Sequence, residues 1–584
     1  MALVGIDLGT TNSLIAIWKD HKVELLPNSL GHNMTPSVVG VDDDGTLLVG
    51  EIAKERRISH PDYTAAEFKR HMGTDYKYTL GDKTYLPEEL SAILLKKLIA
   101  DAQTKVAEPI TEAVISVPAY FDNNQREATK RAAQIAGIEV KRLVNEPSSA
   151  VLYKQWKKRE DRVDGIHLVV DFGGGTLDIS VVDCFENIIE IMAVSGNNQL
   201  GGKDFDLCIA KDFCTKTGLS FNNLRKSTRE NILWTAENVK KALTENDSVT
   251  MRVNIDDQKY ETVYSTKELL QVTSQVLVQM KEVLNDALRG AKIELEDVEE
   301  IILVGGSCKM PVVQKYLSAL FQRPLTIDPE GDYLVGYGAG VLTGIINRES
   351  EISDIVMTDV CPFSLGIASK NDKSDKYPSL SVIIPKNSML PTSKSQVFSG
   401  LVPFQEHLSI HVYQGEEYWC MDNLDLGAFL LDITPNEKGD TRALVTFSYD
   451  IDGLLVVTAK DLIGDHSLEA VVTQKATLLT PEEIEQKRLA LKEQNILQKF
   501  EEENRRILAW AQRLYTQADG ANKFALANII ETYSKALPED SLIAVQKMRK
   551  DTIARLLQLE MTINTDFFGD DDIISKLMDD TTED

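Results

Sequence analysis

The chain has 584 residues, 43% of them hydrophobic and 26% charged, and its 63 basic and 90 acidic side chains give a formal net charge of −27. This length exceeds what one hydrophobic core organises, which predicts three or four domains. The negative charge repels phosphate backbones and anionic lipid, so neither nucleic acid nor a membrane is an expected partner. Scattered cysteines without a C-x-x-C pair, and an N-terminus without a basic and apolar leader, predict a cytoplasmic protein.

The first part of the chain, residues 1–352, alternates β-branched runs with amphipathic patterns, which predicts an α/β domain with a largely parallel sheet. A strand followed by an acid and glycines occurs at 3–9 and again at 168–175. This repetition predicts a duplicated half-domain with a cleft between the halves. Further predicted strands are 113–117 and 301–304, and predicted helices include 125–136 and 267–291.

The rest of the chain changes its pattern twice. Residues 353–358 are the predicted interdomain linker, and 359–479 show short alternating runs that predict a separate all-β domain. At Thr480, an N-cap followed by Pro481 predicts a helix start, and a helical pattern continues to 569. Residues 570–584 form an acidic tail that we expect to be mobile.

Phosphate binding is the clearest chemical signal in the sequence. The nearest approach to a P-loop, residues 196–203, has Gly202 where that motif requires lysine, so a P-loop is not predicted. In the segment 5–13, Gly9 permits a close backbone approach, and the amides and hydroxyls that follow can cradle phosphate oxygens. Asp7 is near enough to hold a hydrated Mg²⁺. The segment 171–178 repeats the arrangement, and two such turns favour a paired phosphate site over two ordinary hairpins.

Several segments resemble the nucleotide-domain motifs of the 70-kilodalton heat-shock chaperones of the DnaK type, in that family's order. They are 5–13, 117–121, 145–147, 171–178, 302–307 and 336–340. The resemblance continues through 359–367 and implies a multidomain chain. Its parts would be an α/β actin-like two-lobed ATPase domain, an all-β sandwich peptide-binding domain and an α-helical lid. The short segment between Met72 and Glu88 looks closest to the HscC-like bacterial branch.

The resemblance also implies roles for individual residues. Asp7 and Asp171 would bind Mg²⁺, Asp171 would position the attacking water, and Lys69 would stabilise charge at the γ-phosphate. The catalytic set would be Lys69, Glu146, Asp171, Thr176 and Asp178. The nucleotide contacts would be Gly9, Thr10, Thr11, Asn12, Gly173, Gly174, Gly175, Thr176, Gly201, Gly202, Glu237, Lys240, Lys241, Thr244, Gly305, Gly306, Ser307, Lys309 and Asp332.

The nucleoside end departs from the family pattern. Lys241 and Lys309 stand where arginines often sandwich the adenine, and lysine stacks less well than a planar guanidinium. Gly331-Asp332-Tyr333 replaces the usual Pro-Asp-Glu. These departures predict weaker nucleotide binding than is usual in the family.

Two further sets of residues follow from the resemblance. The relay between cleft and linker, part of which would receive a J-domain co-chaperone, would comprise Pro118, Arg126, Arg142, Asn145, Met357, Thr358 and Asp359. The groove for an extended peptide would be lined by Ile367, Phe398, Leu401, Leu408, Ile410 and Leu454. His407 and His411 have an H-x₃-H spacing, but they lie on an alternating strand without a third ligand nearby, so metal binding is not expected.

The predicted function is that of an ATP-dependent chaperone, in which Mg-ATP binding and hydrolysis control the binding and release of extended apolar segments of unfolded clients. The expected cofactors are ATP or ADP, Mg²⁺ and K⁺. The expected partners are client peptides, a J-domain co-chaperone and a nucleotide exchange factor. A small-molecule kinase, a filament-forming member of the actin-like clan and a peptide-binding module with a decayed ATPase are the alternatives.

Overall fold

The structure is a computed structural model. The residues that it describes fall into several ranges. These are 1–158, 164–256, 258–325, 327–349, 352, 354–370, 377–400, 402–435, 442–472, 479–493, 499–518, 520–536 and 542–568. Position 401 of the predicted groove and the predicted tail 570–584 therefore lie outside the described residues.

The first lobe is a mixed sheet, in the order β11-β10-β1-β2-β3, covered by helices. Side chains of the central strand point alternately to the two faces of the sheet. Val4 and Ile6 pack into the core that includes the second and third helices, whereas Leu3 packs into the core that includes the fourth helix. The elements are β1 (Ala2–Asp7), β2 (Asn12–Lys19), β3 (Lys22–Leu25), β4 (Thr35–Pro36), β5 (Val38–Val41), β6 (Leu47–Val49), α1 (Glu51–Ser59), β7 (Thr64–Ala66), β8 (Tyr78–Leu80), β9 (Lys83–Tyr85), α2 (Pro87–Gln103), β10 (Ile110–Val117), α3 (Asn123–Ala136), β11 (Glu139–Asn145) and α4 (Glu146–Lys157).

The second lobe repeats the strand–turn–strand plan around its own core. Its sheet runs β17-β12-β13-β14, and the last helix of the lobe returns to pack on β1, β2 and α4 of the first lobe. The elements are β12 (Gly165–Phe172), β13 (Leu177–Phe185), β14 (Ile188–Asn197), α5 (Gly202–Lys216), α6 (Lys226–Ala242), β15 (Ser248–Ile255), β16 (Gln258–Ser265), α7 (Thr266–Val272), α8 (Ser274–Ala291), β17 (Val298–Val304), α9 (Pro311–Phe321) and α10 (Leu334–Ile346).

Two details of these lobes correct the sequence prediction. The sheets are not largely parallel: β1 pairs in parallel with β10 but antiparallel with β2, and β12 pairs antiparallel with β13. The glycine-rich turn after each first strand reverses the chain at once, so the next strand must run antiparallel. The predicted helix 267–291 is two helices, α7 and α8, which meet at Thr273, whose Oγ1 donates to the Leu269 carbonyl.

The third unit is a sandwich of two antiparallel sheets, β20-β19-β23-β24 and β22-β25-β26-β27. In β25 every second side chain is buried, so Val445 and Phe447 enter the core between the sheets. The elements are β18 (Val356–Val360), β19 (Leu365–Ser369), β20 (Ser379–Ile384), β21 (Met389–Leu390), β22 (Thr392–Ser399), β23 (His407–Gln414), β24 (Leu424–Asp432), β25 (Arg442–Tyr449), β26 (Leu455–Asp461) and β27 (Ser467–Val471).

The predicted linker 353–358 overlaps β18, which joins the sandwich to the second lobe. Val356, Met357 and Thr358 pair in parallel with 188–190 of β14, and Asp359 pairs with Leu390 of β21. In this conformation the segment is therefore an added strand of the second-lobe sheet. Ser353 lies outside the described residues.

The last unit consists of the lid helices: α11 (Pro481–Glu493), α12 (Lys499–Gln517), α13 (Gly520–Ala536) and α14 (Leu542–Phe568). The start of α11 is the predicted capping box, since the Thr480 hydroxyl accepts the Glu483 amide at 3.2 Å and the Glu483 carboxylate accepts the Thr480 amide at 2.6 Å. These helices lie against the first two lobes: α11 packs on α3, α12 on α1, and α14 on β15.

Candidate active site

A cavity of about 480 Å³ lies between the two lobes, within the range of small-molecule sites. The turn 8–11 between β1 and β2 faces the turn 173–176 between β12 and β13 across it. The remaining wall comes from the N-termini of α4 and α5, the end of α6, a short 3-10 helix at 306–309 and the segment before α10. The cavity therefore sits where the two halves of the duplicated plan meet.

The two glycine-rich turns interlock. A side chain on Gly174 would come within 1.9 Å of Thr11 Oγ1, so the turn fits only without a Cβ. The Gly173 carbonyl accepts hydrogen bonds from the Ser307 hydroxyl at 2.7 Å and from the Gly202 amide at 3.1 Å. Among the described residues, the buried Thr11 Oγ1 has no hydrogen-bond partner. An unpaired hydroxyl beside the cavity fits a site for a polar ligand.

Carboxylates crowd one end of the cavity around a single ion pair. Lys69 Nζ donates to Glu146 at 2.6 Å, and both side chains are less than a tenth exposed. Burial raises the pKa of Asp7 to about 6, helped by Glu146 and opposed by Lys69 and by a 2.7 Å hydrogen bond from Ser116. Burial, with Glu146, Asp178 and Asp7, holds the pKa of Asp171 well above its usual range. These acids favour a cation as neighbour.

Asp178 lies one layer behind this cluster. Its Oδ1 accepts the Tyr120 amide at 2.9 Å, and its Oδ2 has no hydrogen-bond partner among the described residues. Burial, followed by repulsion from Glu146, raises its pKa to about 7. A hydrated cation or an ordered water would satisfy the free oxygen.

The residues present fit a hydrated Mg²⁺ better than a metal held by protein alone. Within the described ranges, no three His, Cys, Asp or Glu side chains come together as a metal cage. Mg²⁺ usually keeps several waters and takes one or two carboxylates together with substrate phosphates. Asp7 and Asp171, which line the cavity with raised pKa values, meet that requirement.

The other end of the cavity is lined by lysines around one glutamate. Glu237 accepts hydrogen bonds from Lys203 at 2.5 Å and from Lys241 at 2.6 Å. Burial opposes its ionisation, but Lys203, Lys241 and Lys240 outweigh burial and hold its pKa far below the usual range. Lys309 forms an ion pair with Asp332 at the opposite wall. These polar groups suit the hydroxyls and the ring edge of a nucleoside.

Most residues of the predicted nucleotide site line this cavity. They are Asp7, Gly9, Thr10, Thr11, Asn12, Lys69, Glu146, Asp171, Gly173, Gly174, Thr176, Gly202, Glu237, Lys240, Lys241, Thr244, Gly305, Gly306, Ser307, Lys309 and Asp332. Gly175, Gly201 and Asp178 stand behind the wall; the Gly175 carbonyl, for example, accepts Arg70 Nε at 2.9 Å.

Several lining residues are not among the predicted nucleotide contacts: Leu14, Met34, Lys203, Glu245, Val304, Met310, Gly331 and Val335. Lys203 was recognised only as the end of a failed P-loop. A cationic residue at the start of a helix that follows glycines is the signal that could have identified it.

Three of the predicted relay residues form a chain of hydrogen bonds from α3 to β18. Arg126 Nη2 donates to Asn145 Oδ1 at 2.7 Å, and Asn145 Nδ2 donates to Asp359 Oδ2 at 2.7 Å. Burial raises the pKa of Asp359. Burial lowers the pKa of Arg142, and the charge of the nearby Asp359 opposes that lowering. Pro118 begins the turn that leads to α3, and Met357 packs into the core between the lobes.

The predicted groove residues separate into two places. Ile367 and Ile410 are buried in the sandwich core, and Phe398 and Leu408 pack half-buried against it. Leu454 lies in the β25–β26 turn, whereas Phe398 pairs with Ala443 at the other end of β25. Six residues of strand separate these ends, roughly 20 Å at about 3.4 Å per residue. Leu454 and Phe398 therefore lie at opposite ends of β25.

Comparisons with known proteins agree with this architecture. The family model described as Hsp70 protein matches residues 3–80 and 76–562. The chaperone protein DnaK of Thermosipho africanus (strain TCF52B) is 36% identical over 565 residues, which cover 94% of this chain and 91% of that protein. The chain belongs to the Hsp70 family.

Membership confirms the main functional prediction. The chain is an ATP-dependent chaperone with a two-lobed ATPase domain, a β-sandwich and a helical lid, and its family uses ATP or ADP with Mg²⁺. The kinase and filament alternatives are not favoured. Within the described ranges, no helix is both long and apolar enough to cross a bilayer.

Proposed function

We propose that ATP binds in the cavity with its phosphates between the turns 8–11 and 173–176 and its nucleoside toward α6 and the 306–309 turn. The backbone amides and hydroxyls of the turns suit phosphate oxygens. Glu237 and Lys241 lie at the far wall, where ribose and adenine would sit. The same proposal includes an actin-like architecture of the two lobes and domain boundaries at 352, 358, 479 and 569.

Hydrolysis would take place at the carboxylate end of the cavity. Lys69, held by Glu146 at 2.6 Å, would stabilise charge that develops on the transferred phosphoryl group. Asp171, which lines the cavity at this end, would position the attacking water. Thr176 and Asp178 would support that water. Asp7 and Asp171 would hold a hydrated Mg²⁺, which would supply positive charge beside the phosphates.

Peptide binding would belong to the sandwich. A groove for an extended apolar segment would be lined by Ile367, Phe398, Leu408 and Ile410. The sandwich would recognise such a segment by main-chain hydrogen bonds and by pockets for its side chains. Ile367 and Ile410 are buried here, so binding at these positions requires the sandwich to rearrange. This supports the docked conformation as the state of low peptide affinity.

Coupling between the sites would run through β18 and the docked sandwich. Lys130 of α3 pairs with Asp452 at 3.2 Å, and the Leu143 amide donates to Asp452 Oδ1 at 3.2 Å. Asn123 donates to Gln414 and to the Val472 carbonyl. ATP would favour this docked arrangement, and hydrolysis would release it.

The partners and the finer classification are further parts of the proposal. Arg142, Asn145 and Asp359 would form the site for a J-domain co-chaperone, and a nucleotide exchange factor would act on the cleft. K⁺ would accompany Mg²⁺ near the phosphates. The short first-lobe segment around β8 and β9 supports an HscC-like position within the family. A cytoplasmic location and unfolded proteins as clients complete the proposal.

The ion pair of Lys69 and Glu146 at the phosphate end of the cavity carries this proposal most directly. The decisive experiment measures ATP hydrolysis with and without an unfolded apolar peptide. We expect the peptide to accelerate hydrolysis, because it favours release from the docked state. Hydrolysis that is insensitive to saturating peptide would refute the coupling, and failure to hydrolyse Mg-ATP would refute the site.

A further inference from the structure

The helix α12 spans both nucleotide lobes, and its first half lies on the first lobe. Glu502 accepts hydrogen bonds from Lys97 Nζ at 2.7 Å and from the Ser29 hydroxyl at 2.6 Å. Glu502 is 2% exposed. About two turns further, Ala509 packs into the small core that includes Ile52 of α1. The first half of α12 is thus anchored to the first lobe by a buried ion pair and by apolar contact.

The last turn of the same helix reaches the second lobe. The guanidinium of Arg513 lies 4.9 Å from the centre of the Trp234 ring of α6. Gln517 Nε2 donates to Asn231 Oδ1 of α6 at 3.3 Å, and the Gln517 carbonyl accepts Asn254 Nδ2 of β15 at 3.2 Å. The packing of α14 on β15 adds to this second contact.

Arg513 joins the two lobes directly. It donates to Glu55 of α1 in the first lobe while its guanidinium faces Trp234 in the second. Its Nη2 also donates to Glu560 of α14 at 2.6 Å, and its side chain is only 6% exposed. Removing such a buried, paired cation leaves two carboxylates without their partner.

The bridge crosses the seam over the nucleotide cleft. The same two helices, α1 and α6, already meet through the Arg57–Glu230 ion pair at 2.9 Å and through Lys54 at 5.6 Å from the Trp234 ring. Lys54, Arg57 and Lys203 line a small opening that also includes Thr10 and Thr11 of the phosphate turn. Separation of α1 from α6 would therefore open the cleft at the phosphates.

We infer that the lid helices clamp the two lobes together through α12 and slow the release of nucleotide from the cleft. Opening the cleft while α12 is docked would break the contact of Arg513 with Glu55 or with Trp234. Undocking of the lid frees the lobes to separate. Lid docking raises the affinity for nucleotide by some factor. Bound nucleotide must raise the equilibrium constant for lid docking by the same factor. The inference rests on the proposed nucleotide position.

The test measures how fast a fluorescent, non-hydrolysable ATP analogue leaves the full-length chain in the presence of Mg²⁺ and excess unlabelled ATP. Arg513→Ala removes both lobe contacts, and Gln517→Ala combined with Asn254→Ala removes the side-chain bonds to the second lobe. Lys535→Ala is the matched control, because it also removes a lid cation, here from the exposed Lys535–Glu531 pair of α13.

We expect release from Arg513→Ala to be about tenfold faster than from the parental chain, in line with the loss of a charge-assisted contact. Release from the double variant should be several-fold faster and from the control unchanged. Equal release rates in all chains, or equal acceleration in the control, would overturn the clamp. If Arg513→Ala does not fold, the double variant decides by the same criterion. Failure of the parental chain to bind the analogue would instead refute the proposed nucleotide site.

Discussion

Lys69 is the cation that the buried acids Asp7, Glu146 and Asp171 face at the phosphate end of the cleft. Its position 5.7 Å from the Phe121 ring leaves it little freedom to move. In the proposed site many other residues contact the nucleotide, so we expect this ammonium to contribute to charge stabilisation more than to binding. Its loss should therefore affect hydrolysis selectively.

The first prediction follows from that position. Lys69→Ala, and Lys69→Met with a side chain of similar length, should bind nucleotide with nearly parental affinity but hydrolyse it about 100-fold more slowly or worse. Single-turnover hydrolysis and nucleotide affinity are measured on the same preparations. Parental hydrolysis rates in both variants would rule out the assigned role.

The second prediction concerns the pH dependence that buried acids create. The pKa of Asp178 is raised to about 7 in the folded chain, above the 3.8 expected when it is exposed. Between pH 3.8 and about 7, the folded state therefore binds more protons than the unfolded state. The contribution of this protonation to the free energy of unfolding is lost as the pH rises toward 7. Each pH unit in that window changes this contribution by at most about 1.4 kcal/mol.

Asp178→Asn mimics the protonated acid and can still accept the Tyr120 amide. Without nucleotide and Mg²⁺, its melting temperature relative to the parental chain should rise as pH increases from 5 to 8. Asp62→Asn removes an exposed carboxylate and serves as the control. A melting-temperature difference that stays constant over this range would show that Asp178 does not titrate there.

At the scale of single elements, the predicted linker 353–358 overlaps β18, which is docked on β14. Val356–Val360 acts as a strand because β14 offers an unpaired edge and Met357 fills a gap in the core between the lobes. Thr358 fits less well: its buried Oγ1 has no hydrogen-bond partner in the described part of the chain. A buried hydroxyl without a partner disfavours docking.

Thr358→Leu should therefore stabilise the docked strand. We expect both the stimulation of hydrolysis by peptide and the loss of peptide affinity on adding ATP to increase, since interdomain couplings are typically about 1–3 kcal/mol. Thr358→Val keeps the shape without the hydroxyl and tests the desolvation argument alone. If neither coupling rises in either variant, the hydroxyl is not a weak point of docking.

The sequence allowed the two glycine-rich turns to be predicted, because glycine, acid and hydroxyl residues directly after a strand constrain the backbone. Gly9, Gly174 and Ser307 consequently lie where the patterns put them. Strand direction was predicted less well, since an apolar run carries no signal for its partner. Leu454 was assigned to the groove from the resemblance, and it lies at the opposite end of β25 from Phe398.

At the scale of the whole molecule, the position of the lid could not be read from the sequence. Glu55 and Arg513 meet across 458 positions, and each alone is an ordinary charge on an amphipathic helix. The partners are defined only once the sandwich has docked on α3 and β11. In this arrangement the sandwich and the lid both contact the lobes that form the cleft. A change in the conformation of one part should therefore alter the conformation of the others.

The most direct test of this account is the affinity of one extended apolar peptide for the full-length chain with ADP and with ATP, in a Lys69→Ala background that preserves ATP. We predict a dissociation constant at least about fivefold higher with ATP, because ATP favours the docked state in which Ile367 and Ile410 are buried. Equal affinities with the two nucleotides, in a chain that binds both, would contradict coupling between cleft and sandwich.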